Sequence, residues 1–415
     1  MVSGTNIGLC ERVADVWQGR RPLAQRNMAG WARRAMEVWM AAILNVRAVV
    51  RGHRLTPTVA EELIRLFDKH VSAVHSRTRV SGKALSIKTQ ERRTSAICKA
   101  FVELREGGFA LASPWSLRKK HVAWLVEKWV DARQSGGTIE NKLTYLRALA
   151  GWINKPGMVG TLAEYVDRRE HGLVRSYVAE VDKSWEANGV NAIEKIAEIA
   201  RTCPRVAAQL KLQAAFGLRL EESFMLQPQR AVRDVEFLAV TRGTKGGRPR
   251  ELPLEAKVAV LEEAARLANP VTGSTVPQDR TLRQWRDWYY YVMERHGITK
   301  AGLGVTSHGL RHQYLQELYE KVAGVAAPVK HAGERPDPAR HAEAMRRVVE
   351  AAGHSRVTKA NAYLSTFARQ ERHAKPVVTP AQAAAALEAG GGNKSHAATA
   401  LGISRQALYR LLASV

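Results

Sequence analysis

His308-Gly309-Leu310-Arg311-His312 is the stretch around which the rest of the chain can be ordered. At positions i and i+3 of a helix, His308 and Arg311 share a face. Upstream, Phe216-Gly217-Leu218-Arg219-Leu220-Glu221-Glu222 reads as a helix end, a glycine turn and a new helix. That turn would aim Arg219 into a cleft, with Glu222 one helical turn on and able to orient it. Between the two, Val235–Thr241 alternates and is rich in β-formers, Gly243-Thr244-Lys245-Gly246-Gly247 is a turn, and Arg250–Leu254 returns. This is a hairpin with Lys245 at its turn. Downstream, Gly353-His354 precedes Tyr363 by nine positions, which places a histidine at a helix start and a tyrosine two to three turns beyond. Each residue has an ordinary explanation when taken singly. Arg219 could be a surface ion pair, Lys245 a solvated turn residue, His308 a cap or core histidine, and Tyr363 a core tyrosine. Together and in this order, the arginines, lysine and histidines can crowd charge and donors around one phosphate. A tyrosine close behind can attack it.

The whole chain fits a polyanionic partner. Its 415 residues carry 64 Lys+Arg against 39 Asp+Glu, a formal charge of +25, which favours nucleic acid over a merely basic soluble protein. The length suggests two or three domains. No apolar run approaches a membrane span, and the N-terminus lacks a signal pattern, so no membrane association is expected. Cys10, Cys98 and Cys203 lie far apart and form no zinc-type ligand set, consistent with free thiols in a reducing cytoplasm. No carboxylate cluster suggests Mg²⁺, so neither metal nor other cofactor is expected.

Residues 1–76 read as a basic helical extension, in which Trp31, Ala35, Val38, Trp39, Ala42 and Ile43 keep helical spacing and Thr56-Pro57 opens a further helix. A basic linker at 77–84 leads into a helical unit at 84–157. Its helices carry Ile97, Ala100, Phe101 and Leu104; then Val122, Leu125, Val126 and Trp129; then, capped by Thr138, Leu143, Leu146, Leu149 and Ile153. Arg92, Arg93, Lys99, Arg118, Lys119, Lys120, Lys142 and Arg147 line these helices as candidate DNA contacts. Trp115, Trp124, Trp129 and Trp152 read as core anchors. A mixed helix at Leu162–Arg169 falls in the boundary region before a third unit at 189–375, mostly helical around the hairpin. After a linker containing Pro376, residues 379–415 form three short helices capped at Thr379, Asn393 and Ser404, with a tight turn at Gly402. This is helix-turn-helix geometry, and the last helix presents Arg405, Gln406 and Arg410 to base edges or phosphates. The fold class expected is mainly α with a small antiparallel β-sheet.

GLRLEE at 217–222, TKGGRPRELPL at 244–254, HGLRH at 308–312 and GHSRVTKANAY at 353–363 together resemble the tyrosine recombinase (phage integrase) family. The helical unit is similar to the core-binding domain that some bacterial integrases carry, and the tail GGNKSHAATALGISRQALYRLL is similar to the Fis-family helix-turn-helix. One interval departs from the family pattern. From Arg311 to His354 there are 43 positions, more than the family has, and the excess at 324–347 reads as an inserted loop or short helix. The resemblance implies cofactor-free cleavage and rejoining of double-stranded DNA by a homotetramer on two duplexes, with accessory bending or directionality factors as further partners. It also implies Tyr363 as nucleophile, Arg219 and Arg311 on the phosphate, and Lys245 as general acid. His308 and His354 would assist, with Glu222 fixing Arg219. Tyr289, Tyr290 and Tyr291 are rival nucleophiles that read better as a helix packing run. A DNA-binding regulator working through the tail is the alternative.

Overall fold

The computed structural model describes residues 44–74, 84–233, 236–255, 257–331, 334–374 and 378–413. The basic segment with Trp17, Trp31 and Trp39, the 77–83 stretch of the linker and Pro376 lie outside the described residues. The chain divides into two compact units, residues 1–175 and 176–415. No helix of the described residues is long and apolar enough to cross a membrane.

In the first unit, α1 (Val46–Arg51), α2 (Pro57–His70), α3 (Ile87–Glu106), α4 (Lys119–Asp131) and α5 (Gly136–Trp152) share one core. The stripe Leu63, Ile64 and Phe67 of α2 meets Ile97, Phe101, Leu125, Trp129, Leu143 and Leu149, all buried. The described part of the N-terminal extension is thus built into the same core as the helical unit. That core runs on to Leu173, beyond the expected limit at 157, because Gly136 lies so close to the Leu173 carbonyl that a Cβ would collide with it. The same approach needs a residue without a side chain at the first position of α5. Ser135 is the cap, accepting from the Thr138 N–H at 3.3 Å, so the expected Thr138 cap is corrected. The mixed helix expected at 162–169 shrinks to a 3₁₀ turn at Leu162–Glu164. Trp115, expected in the core, is 44 % exposed.

The second unit begins thirteen residues earlier than the expected 189, since Ala179 and Trp185 are already core. It contains α6 (Ala192–Thr202), α7 (Pro204–Phe216), α8 (Leu220–Met225), α9 (Pro228–Ala231), α10 (Val258–Arg266), α11 (Leu282–Arg295), α12 (Ser307–Ala323), α13 (Pro338–Ala351), α14 (Asn361–Leu364) and α15 (Phe367–Ala374). Between α9 and α10 lie β1 (Val232–Arg233), β2 (Phe237–Val240) and β3 (Arg250–Pro253), an antiparallel sheet in that order. Leu238 faces Leu252 and Val240 faces Arg250 across the β2–β3 pair. Residues Lys245–Gly247 form the intervening 3₁₀ turn. In the 324–347 interval, a connection with a 3₁₀ turn at Pro328–Lys330 leads into α13, so the helix alternative holds for its second half. Asp337 caps α13 through the Ala339 and Arg340 N–H groups, and Ala344, Met345, Val348 and Val349 are buried against the core that α12 also serves. Tyr289 is fully buried on α11 and accepts from Gln213 Nε2 at 3.1 Å, whereas Tyr290 and Tyr291 are 54% and 46% exposed, so the packing reading holds for Tyr289 and is corrected for the other two.

The tail forms α16 (Pro380–Ala389), α17 (Lys394–Ala400) and α18 (Arg405–Leu412). They close over a small core of Ala383, Ala397, Ala398 and Leu408. Thr379, Asn393 and Ser404 each accept a backbone N–H as caps, and Gly402 turns with φ 64°.

Candidate active site

The site is assembled from two helix ends. Gly217 ends α7 in the left-handed conformation, φ 58°, where a Cβ would run into the Tyr314 ring. The chain therefore reverses at once, and Arg219 becomes the N-cap of α8. Its backbone N and its NH1 both donate to the Glu222 carboxylate at 2.7 Å. The second end is that of α13. Gly353, φ 62°, donates to Glu350 O, and His354 N donates to Val349 O, the paired bonds of a Schellman motif. His354 therefore follows a helix end and does not begin a helix. The glycine makes the stop, and the early expectation of a helix start is corrected.

The carbonyl of the residue that caps the C-terminus of α13, Ala352 O, accepts from Arg219 NH2 at 2.7 Å and from Arg311 NH2 at 2.6 Å. A helix C-terminus carries unsatisfied carbonyls and partial negative charge, so two guanidiniums suit it. Arg311 comes from the second turn of α12 and is 0 % exposed. Its NH1 also donates to Gly217 O, and its Nε reaches Tyr363 Oη at 3.4 Å. His354 Nε2 stands 3.3 Å from the same phenol oxygen. Tyr363 sits on α14 and is buried, with its ring 4.9 Å from that of His312 and 6.4 Å from that of His308.

Electrostatics follow from burial and crowding. Burial alone would raise the Glu222 carboxyl, but hydrogen bonds and charge from Arg250, and then Arg219, hold it at about 2. Desolvation and the neighbouring guanidiniums depress His308 and His354 to about 4. Desolvation, then His308 and Lys183, depresses His312 to about 3. All three rings are neutral at pH 7. Burial lowers Arg311 as well, yet a guanidinium keeps its proton. The result is a fixed positive field with neutral imidazoles beside a phenol.

Of the residues expected from the sequence, Arg219, Glu222, Arg311, His354 and Tyr363 are joined by direct contacts, and His308 lies beside them. Lys245 is exposed on the hairpin turn, and its charge is among those that depress His354. Two neighbours went unremarked in the sequence. His312, i+4 from His308, lies inside the quoted HGLRH stretch and faces the tyrosine. Arg250 is buried on β3 and pairs with Glu222. Its signal was the alternation of Arg250, Leu252 and Leu254, which turns Arg250 inward, where a charge needs a partner. No group of His, Cys, Asp and Glu suited to a metal occurs among the described residues.

The candidate DNA contacts separate by exposure. Arg92, Lys99, Arg118, Lys119, Lys120, Arg405, Gln406 and Arg410 are exposed. Arg93 is not: it is 4 % exposed, and its NH1 donates to Val71 O and Ala73 O, so it ties helices together and is corrected as a surface contact. Lys142 Nζ lies 4.2 Å over the Trp129 ring, and Arg147 donates through Nε and NH2 to Gly160 O, so both are partly engaged within the unit.

Residues 179–317 match the family model described as integrase, and residues 384–413 match that of bacterial regulatory proteins of the Fis family. No curated protein matches the chain. Among solved structures, a lambda integrase dimer bound to a COC′ core site is similar at 17% identity and TM-score 0.47, covering 74% of this chain and 95% of that one. The Tn1549 transposon integrase in complex with transposon right end DNA is similar at 14% identity and TM-score 0.46, covering 75% and 99%. The XerH site-specific recombinase bound to a palindromic difH substrate is similar at 16% identity and TM-score 0.43, covering 80% and 92%.

Proposed function

We propose, from an integrase domain at residues 179–317 and a Fis-type helix-turn-helix at 384–413, that this chain is a tyrosine-type site-specific DNA recombinase. It cleaves and rejoins DNA through a 3′-phosphotyrosyl intermediate, in the service of a mobile genetic element. One observation carries the reading: the Tyr363 phenol oxygen lies 3.4 Å from Arg311 Nε and 3.3 Å from His354 Nε2, while Arg219 and Arg311 converge on one carbonyl beside it.

The chemistry follows from these groups. Tyr363 Oη attacks the scissile phosphorus, the P–O5′ bond breaks, and the phosphate remains on the tyrosine. The phosphodiester energy is retained in the covalent link, so rejoining by the 5′-hydroxyl needs no nucleotide. Attack gathers negative charge on the non-bridging oxygens, which Arg219 and Arg311 neutralise with charge-assisted bonds. Losing one such donor costs about 10²–10³ in rate, by analogy with oxyanion holes. Neutral His354 is placed to take the phenol proton or to donate to the phosphate. Lys245, swung in on its hairpin turn, protonates the departing O5′. The recombining unit is a tetramer on two duplexes, assisted by DNA-bending or directionality factors, and the exposed basic residues of the first unit and of α18 supply phosphate and groove contacts.

The test uses nicked duplexes drawn from the ends of the native element, with wild type and Tyr363→Phe resolved on a denaturing gel. A covalent adduct in wild type alone is expected. An adduct that persists in Tyr363→Phe removes the nucleophile assignment. DNA binding with no adduct in either protein favours a regulator that works through the tail.

A further inference from the structure

Arg250 is buried, charged and outside the roles given so far. It lies on β3 opposite Val240, with its side chain 6% exposed. Its NH1 donates to Glu222 Oε1 at 2.8 Å and its NH2 to Oε2 at 2.6 Å. With the backbone N and NH1 of Arg219, these bonds occupy both oxygens of Glu222. β3 is also the strand that returns from the Lys245 turn. At the other foot of that turn, Gly243, φ 69°, lies so close to the Glu221 and Glu222 backbone that a Cβ would collide there. Both feet of the lysine hairpin therefore rest on α8, one by close backbone approach and one by a bidentate ion pair. Arg250 is covered in turn by Gly353, whose Cβ would come within 3.2 Å of Arg250 Cδ and 3.6 Å of Arg219 NH1.

We propose that Arg250 is a positioning residue that clamps the foot of the Lys245 hairpin to Glu222, so that the cation on the leaving oxygen and Arg219 on the phosphate are set against each other. The fork of a guanidinium is suited to this in a way that a single ammonium is not. The proposal rests on the recombinase reading above.

The test measures adduct formation on the nicked duplex by the full chain at saturating DNA, from pH 4.5 to 8, with DNA affinity measured separately. Wild type, Arg250→Met and Arg250→Lys are compared. Arg250→Met is expected to slow adduct formation by about tenfold to a hundredfold, the scale on which groups that orient a site residue act, with affinity unchanged. Arg250→Lys restores part of the loss, since it can make one of the two bonds. The acid limb of Arg250→Met is also expected to lie at higher pH than that of wild type. A Glu222 still buried but stripped of its bidentate partner takes up a proton more readily, and Arg219 then loosens. A wild-type rate in Arg250→Met overturns the proposal. So does an equal loss at every pH with no gain from lysine, which is the signature of a merely structural part. If Arg250→Met no longer binds DNA, Arg250→Lys decides alone: slowed cleavage with intact binding supports the proposal, and a wild-type rate overturns it. Absence of an adduct in wild type removes the recombinase reading, and this proposal with it.

Discussion

Replacing Glu222 by glutamine should cost the second unit about 3 kcal/mol at pH 7, and the size can be worked two ways. The carboxyl sits at about 2 against an ordinary 4.5, which corresponds to about 3 kcal/mol favouring the folded, ionised form. Independently, breaking a buried ion pair by removing one partner costs roughly 3–5 kcal/mol. Glu222 is 0% exposed, so solvent does little to soften the change. Glutamine keeps the shape but turns an amide NH2 toward guanidinium donors, and it leaves Arg219, Arg250 and Arg311 without their anion. The pH dependence fixes the cause. A depressed carboxyl stabilises above its unfolded value and loses that contribution as pH falls from 4.5 toward 2. The gap between wild type and Glu222→Gln should therefore shrink to about 1 kcal/mol at pH 3. The assay is urea unfolding of the whole chain, followed by pulsed hydrogen exchange in peptides from residues 204–225, so that the signal comes from this unit. A loss below about 1 kcal/mol at pH 7, or a gap of equal size at both pH values, refutes the reasoning.

The depressed histidines give a second expectation. In the free protein the ring resonance of His354 should stay still between pH 7.5 and 5.5 and move only near 4; an inflection near 6.5 would contradict the crowding described. On the DNA side, Lys119→Ala should lower the salt slope of binding by about one. Arg93→Met should leave that slope alone and reduce thermal stability, because the Val71 and Ala73 carbonyls lose their donor; a changed slope would return Arg93 to the DNA surface. Deleting residues 379–415 should weaken or relocate DNA binding while cleavage of a minimal core site persists, and loss of that cleavage would give the tail a catalytic part.

The sequence was most legible where local rules act alone. Helical periodicity and capping residues located α2, α3, α4 and the three tail helices, and β alternation around a glycine turn located the hairpin. Three of the site residues were legible because they sit where the chain must turn, Arg219 after Gly217, His354 after Gly353 and Lys245 between glycines, and His308 and Arg311 because their i, i+3 spacing puts them on one helix face. Tertiary demands account for the misses. Thr138 reads as the start of α5 until the Leu173 carbonyl packs against Gly136, which brings the cap back to Ser135. Arg93 reads as one more surface cation until its partners, 22 and 20 residues away, are in place. For α13 the sequence left loop and short helix open, because Pro328, Pro336 and Pro338 suit either, while its apolar stripe makes sense only against α12. Arg250 escaped for a similar reason, since its partner Glu222 lies 28 positions back.

That both arginines meet on Ala352 O has a consequence for how the site tolerates change. The acceptor is a main-chain oxygen, so no substitution at position 352 can delete it. Variation there is limited by side-chain volume, because Ala352 is fully buried, and not by chemistry. The vulnerable point is one residue on, where Gly353 holds φ 62° and any side chain would strain the turn that aims the carbonyl. The cradle is therefore robust to mutation at the atom that organises it and fragile at a residue that makes no polar side-chain contact at all.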